Sequence, residues 1–183
     1  NDGSTNFSTE VVFSENAGGA SDIYTADLDG DGDLDVLSAS VSDDKIAYYL
    51  NNSNGNFSNE TVISDSVSSA SSIFAGDIDG DGDMDVLSAS SSNEKPAYFL
   101  NDGNGNFSEE NFFTNAPLSG TDIYAADLNS DGYLDVLFTD FSADYVAYFL
   151  NDGMGEFSEM IVISDTANGA ASVYATDLDL DGD

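Results

Sequence analysis

A 50-residue period runs through the chain with no insertion or deletion. Asp27, Asp77, Asp127 and Asp177 stand in register. So do Phe7, Phe57, Phe107 and Phe157, and the aromatic set Tyr24, Phe74, Tyr124 and Tyr174. Leu50, Leu100 and Leu150 each precede an Asn. Residues 29–40 (DGDGDLDVLSAS) and 79–90 (DGDGDMDVLSAS) differ at one position. Such a period marks a repeat architecture, in which one supersecondary unit buries its apolar faces only against its neighbours. The register gives residues 1–21 as an outer strand of a preceding unit plus a linker. Repeats then follow over 22–71, 72–121 and 122–171, with the start of a fourth over 172–183. Neither end falls on a unit boundary, so the chain reads as a segment of a longer array.

The pattern inside each unit is that of strands. Residues 22–27 (DIYTAD), 34–40 (LDVLSAS), 45–51 (KIAYYLN) and 57–64 (FSNETVIS) are short, rich in β-formers and bounded by turn residues. Asn-Gly and Asp-Gly pairs between the last two supply the positive φ that tight hairpins need. No window carries a helical stripe. Four-stranded antiparallel units stacked as blades around an axis satisfy both burial and period. The expected fold class is therefore all-β, a β-propeller-type array of four-stranded blades. Segments 22–28, 72–78, 122–128 and 172–178 are expected innermost, because they look apolar on both faces.

Charge then narrows the chemistry. The sequence holds 36 Asp plus Glu against 2 Lys plus Arg, a net charge of −34. That field repels nucleic acid and anionic membrane, so neither is an expected partner. No apolar run is long enough to insert in a bilayer, and no signal peptide is legible. Without Cys or His, disulfides, thiolate zinc sites and imidazole bases are all excluded. An enzyme is not expected, because the repeated loops leave no unique catalytic constellation.

The acidic residues are clustered. The first loop reads Asp27-Leu-Asp29-Gly-Asp31-Gly-Asp33-Leu-Asp35 and the second Asp77-Ile-Asp79-Gly-Asp81-Gly-Asp83-Met-Asp85. The third reads Asp127-Leu-Asn129-Ser-Asp131-Gly-Tyr133-Leu-Asp135, and the fourth runs Asp177-Leu-Asp179-Leu-Asp181-Gly-Asp183. Calcium takes roughly 6–8 oxygens at about 2.3–2.6 Å. Carboxylates at positions 1, 3, 5 and 9, with a backbone carbonyl at position 7, supply such a shell around a turn that Gly at position 6 permits. The variation fits that assignment: position 3 becomes Asn129, which keeps an oxygen, and position 7 becomes Tyr133, where only the carbonyl is needed. An EF-hand shares the opening of this loop but requires a Glu at position 12 and flanking helices. Position 12 here is Ser38, Ser88 and Phe138. Magnesium fits less well, since it demands a stricter octahedron with several waters. About one calcium ion per loop is expected, in a structural role.

With its acidic loops, the Asp-Val-Leu that follows (35–37, 85–87, 135–137), and Tyr-x-Leu-Asn then Gly-x-Phe (98–101, 105–107), the unit resembles the FG-GAP, or VCBS-type, repeat. That repeat builds integrin α-chain propellers and occurs in many secreted bacterial proteins. The resemblance covers essentially the whole chain. It implies a β-propeller with calcium in the loop between the first two strands of each blade. It also implies an extracellular or cell-surface setting and a role in adhesion or carbohydrate binding, with a glycan or surface protein as partner. The alternative is a purely structural repeat, such as a spacer or a filament subunit that self-associates by stacking.

The remaining features read more plainly. Tyr48-Tyr49, Tyr98-Phe99 and Tyr148-Phe149 suit either a sugar-stacking platform or blade packing, and packing is favoured because adjacent residues face opposite sides of a sheet. Phe7, Phe57, Phe107 and Phe157 are expected core anchors. Lys45 and Lys95 follow acidic residues at turns and are expected to form solvated ion pairs of little worth.

Overall fold

The alternation of short β-forming runs with Gly- and Asp-rich turns produces twelve strands and no helix among the described residues. The computed structural model describes Glu10 and residues 12–53, 56–92 and 95–179. Phe7, Asp181 and Asp183 lie outside them. The first sheet is β1 (Ala20–Ala26), β2 (Asp35–Ser40), β3 (Lys45–Tyr49) and β4 (Thr61–Ser64). The second is β5 (Ala70–Gly76), β6 (Asp85–Ser90), β7 (Ala97–Phe99) and β8 (Asn111–Phe112), and the third β9 (Gly120–Ala126), β10 (Asp135–Asp140), β11 (Tyr145–Phe149) and β12 (Ile161–Ser164). Each sheet is a four-stranded antiparallel meander in chain order, a blade.

Successive blades meet through their first strands, β1 on β5 and β5 on β9. The 50-residue phase is visible there as three ladders. Rings of Tyr24 and Phe74 are 4.7 Å apart, Phe74 and Tyr124 5.0 Å, and Tyr124 and Tyr174 4.9 Å. The Ser72 hydroxyl bridges the carboxylates of Asp22 (3.0 Å) and Asp122 (2.8 Å), and Ser172 donates to Asp122 (2.7 Å). A bulge at residue 21 turns Ser21 toward the next blade, where it donates to the Ala70 carbonyl (2.7 Å); Ser71 does the same to Gly120 (2.9 Å). One apolar core fills each blade junction, the first around Leu37, Ile46, Tyr48 and Ile73, the second around Leu87, Phe138, Phe149 and Ile123.

Several expectations shift in detail. The first strands start two residues before the expected 22 and end at 26, so Asp27 opens the loop. The first strands carry the polar Asp22–Ser72–Asp122 row, and the most buried strands are the second ones: every residue of β6 and β10 is buried. Phe57, Phe107 and Phe157 lie in isolated bridges to Asn51, Asn101 and Asn151; all three are half-buried, and Phe107 and Phe157 pack against the two junction cores. The fourth strands start later than the expected 57. Pro96 has no N–H to donate, and β7 accordingly opens at Ala97 and is short. Residues 172–177 form no strand ladder. Tyr49, Phe99 and Phe149 are almost wholly buried, which assigns these aromatics to packing.

Lys45 departs from the solvated pair expected of it. Its side chain is 12% exposed, and it donates to Glu60 at 2.8 Å and to the Asn16 carbonyl at 2.8 Å, with Asp43 farther away at 3.8 Å. Burial works against its charge, but the Glu60 hydrogen bond and the charges of Glu60 and Asp43 outweigh it and raise the pKa. Lys95 lies 4.6 Å from the Phe112 ring centre.

Candidate metal centre

Residues 27–34, 77–84 and 127–134 connect the first and second strands of the three blades, and the loops fold alike because the same bonds recur. Position 1 accepts the amide of the position-6 glycine: Gly32 to Asp27 (2.9 Å), Gly82 to Asp77 (3.0 Å) and Gly132 to Asp127 (2.8 Å). Those glycines have φ of 92, 97 and 93°, open to glycine at little cost. Position 4 also needs the left-handed region, and in the third loop Ser130 occupies it at φ 61°.

Position 9 is a buried carboxylate in all three loops. Asp35 is fully buried; one oxygen accepts the Leu28 amide (2.9 Å) and the other the Asn51 amide (2.8 Å). Asp85 holds Ile78 (2.9 Å) and Asn101 (2.8 Å), and Asp135 holds Leu128 (3.0 Å) and Asn151 (2.9 Å). These carboxylates fasten the loop base to the third strand. The flanks are strands, and position 12 (Ser38, Ser88, Phe138) is buried inside the second strand, which rules out an EF-hand.

The loops bring together a carboxylate oxygen from each of Asp27, Asp29 and Asp35, all within 4.8 Å of one another, and likewise from Asp77, Asp79 and Asp85. Oxygens sharing one calcium ion at about 2.4 Å stand at most about 4.8 Å apart, so each trio fits one coordination sphere. The Oδ1 of Asp27 is buried and accepts no hydrogen bond among the described residues. Such an orphaned acceptor is costly unless a cation or donor meets it.

Position 5 stands outside the trios. Asp31 and Asp81 are exposed and accept the amides of Asp33 (2.9 Å) and Asp83 (3.0 Å). The position-7 side chains turn to the hairpin joining the third and fourth strands. Asp33 accepts from Ser53, Asp83 lies against Gly103, and the Tyr133 ring lies over Gly153. In the third loop Asn129 donates to Asp131 (2.9 Å), and Asp127, Asn129 and Asp131 are all exposed. In the fourth, Asp177 is half-buried and Asp179 exposed.

The electrostatics favour a cation. Burial pushes the Asp85 carboxyl up to about 6 against the pull of the Asn101 and Ile78 amides, and Asp79 and Asp81 push it further. Burial raises Asp35 and Asp135 in the same way, again with nearby carboxylates adding to it. Asp79 is raised by burial and by the charge of Asp81. A divalent ion among these oxygens reverses that cost.

Asn101 and Asn151 are site residues that the loop motif does not contain. Asn101 donates to the Leu28 carbonyl of the preceding blade (2.8 Å), and Asn151 to that of Ile78 (2.7 Å). Their signal in the sequence is the Asn that follows Leu100 and Leu150 in phase.

Comparison with known proteins agrees with this architecture. The description of FG-GAP-like repeats matches residues 1–38, 27–88, 77–138 and 127–183, end to end along the chain. No curated protein matches. A solved lectin of Agrocybe aegerita, described for specific recognition of non-reducing terminal N-acetylglucosamine, superimposes with a TM-score of 0.58 at 24% identity, over 80% of this chain and 38% of its own. The V. cholerae biofilm matrix protein Bap1 gives a TM-score of 0.36 at 18% identity, over 79% of this chain and 28% of its own. The chain thus spans less than half the length of either protein, and the lectin likeness is one of fold. With the repeat matched along its whole length and three blades built on it, the chain belongs to the FG-GAP-like repeat family.

Proposed function

We propose that this chain is a calcium-stabilised extracellular module for binding or adhesion, without catalytic activity of its own. The observation that carries the reading is the pair of carboxylate trios, Asp27/Asp29/Asp35 and Asp77/Asp79/Asp85, each compact enough for one ion. Asp31 and Asp81 and the carbonyls of Asp33 and Asp83 complete those two shells. Asp127, Asn129, Asp131, Asp135 and the Tyr133 carbonyl form the third, and Asp177, Asp179, Asp181 and Asp183 begin the fourth. Bound calcium supplies charge neutralisation among carboxylates that otherwise repel. The chain's own residues do the rest: the position-9 aspartates anchor the loop, and the glycines permit its turn.

Extracellular modules bind calcium with dissociation constants of about 10⁻⁴–10⁻³ M, so such sites fill where calcium is millimolar, outside the cell. A ligand has clefts to use at the blade junctions. One of 490 Å³ lies among Thr114, Ala116, Ser158, Glu159 and Met160, with the half-buried Phe157 in its wall. Mixed polar and apolar walls of this kind suit a glycan face or a surface-protein segment. The test is binding to a glycan array and to immobilised surface proteins, in calcium and after chelation. Calcium-dependent retention of one ligand class supports the module. Absence of binding throughout, in protein that melts cooperatively with calcium, refutes it.

A second reading, a purely structural spacer or filament subunit, is favoured by one observation. The ladders between blades repeat every 50 residues and can extend by adding blades. Regular fibres in electron micrographs would favour it.

A further inference from the structure

We infer that Asn101 and Asn151 couple consecutive acidic loops, so that calcium in one loop tightens calcium in the next; this rests on the calcium reading above. The Asn101 side chain spans two loops. Its amide donates to the Leu28 carbonyl of the first loop (2.8 Å) and to the Met84 carbonyl of the second (3.1 Å). Its own oxygen is fixed by the Gly103 amide (3.2 Å), and the residue is 3% exposed. Asn151 repeats this one blade on, with Ile78 (2.7 Å), Leu134 (3.0 Å) and Gly153 (3.1 Å).

These contacts link the loops into one hydrogen-bonded line. Asp35 accepts the Leu28 amide, and the Leu28 carbonyl accepts the Asn101 side chain. The Asn101 backbone N–H donates to Asp85, which also accepts the Ile78 backbone N–H. The Ile78 carbonyl then accepts the Asn151 side chain, and the Asn151 backbone N–H donates to Asp135. Asp35 and Asp85 belong both to this line and to the carboxylate trios. An ion that fixes Asp85 therefore fixes Asn101, and through it the peptide that Asp35 holds. Contiguous buried hydrogen bonds polarise one another and are one physical route by which sites couple.

The test reads each loop separately. In amide-resolved NMR the Gly32 signal, bonded to Asp27, follows calcium in the first loop, and Gly82 follows the second. Asp79→Ala disables the second loop while leaving the Asp85 contacts in place. It is expected to raise the calcium midpoint at Gly32 about fivefold or more, the lower end of measured site couplings. In the Asn101→Ala background the same change is expected to move that midpoint less than about twofold. Asn151→Ala is expected to keep the coupling of the first two loops while freeing the second from the third, so one uncoupled variant that fails to fold does not decide the matter. Asn104→Ala, at an exposed residue of the same hairpin that bonds to Asp102, serves as a control. An unchanged Gly32 midpoint on Asp79→Ala, or full dependence surviving Asn101→Ala, overturns the coupling. A wild-type Gly32 signal indifferent to calcium overturns instead the calcium reading beneath it.

Discussion

Acidification should have opposite effects on this protein with and without calcium. In metal-free protein Asp85 binds its proton at about 6 when folded, against 3.8 as the ordinary value. Over the interval between, the folded state holds a proton that the unfolded chain has lost. The stability from that proton is present at low pH and is lost as pH rises through about 6. From about pH 7.5 down to about pH 5, linkage gives about 1.4 kcal/mol of added stability from Asp85 alone. For a chain of this size that corresponds to a Tm rise of about 3–6 °C. Asp35, Asp135 and Asp79 are also raised and act in the same direction. Asp102, held low by the Asn106 side chain, acts the other way from an exposed position. At saturating calcium protons compete with the ion, so the same acidification lowers Tm. Thermal unfolding followed by circular dichroism, in metal-stripped buffers and in millimolar calcium, measures both slopes. Asp85→Asn should flatten the metal-free slope. A metal-free Tm that falls on acidification, or two slopes of the same sign, refutes the reasoning.

Asp27→Ala should remove the first loop's share of the calcium-induced stabilisation, about 1.4–2.7 kcal/mol at calcium tenfold to a hundredfold above the dissociation constant. Asp33→Ala should leave nearly all of it, because only the position-7 carbonyl is called on; melts with and without calcium separate the two. Ile78→Ala opens a cavity where a 1% exposed side chain closes the second blade junction and should cost about 2–5 kcal/mol in denaturant unfolding, with or without calcium. Glu60→Gln strips the charged partner from a Lys45 that is 12% exposed and should cost about 1.5–3 kcal/mol in the same assay.

The sequence made the repeat, the blade and the loop positions legible because each has a local cause. Gly32, Gly82 and Gly132 answer to φ, and the spacing of the aspartates to the clusters of positions 1, 3 and 9 in the first two loops. What lies between blades was not legible. The carbonyl that Asn101 meets belongs to Leu28, far away in sequence, and no pattern within one unit announces it. The position-9 aspartates looked like ligands alone, and their grip on two backbone amides appears only when the third strand is folded beside the loop. Lys45 was misjudged for a similar reason. Its acidic neighbours in sequence drew attention, while its close partner, Glu60, reaches it from just ahead of β4. The first strands looked apolar on both faces, yet β1, β5 and β9 carry Asp22, Ser72 and Asp122, whose cost is offset by hydrogen bonds between adjoining blades.

The central claim is that these loops hold calcium and that the fold leans on it. Thermal unfolding across a calcium titration, at fixed protein concentration and with magnesium as control, tests it most directly. The account predicts a Tm that climbs with calcium by several degrees per filled site and scarcely responds to magnesium. A Tm indifferent to both calcium and chelator would contradict it.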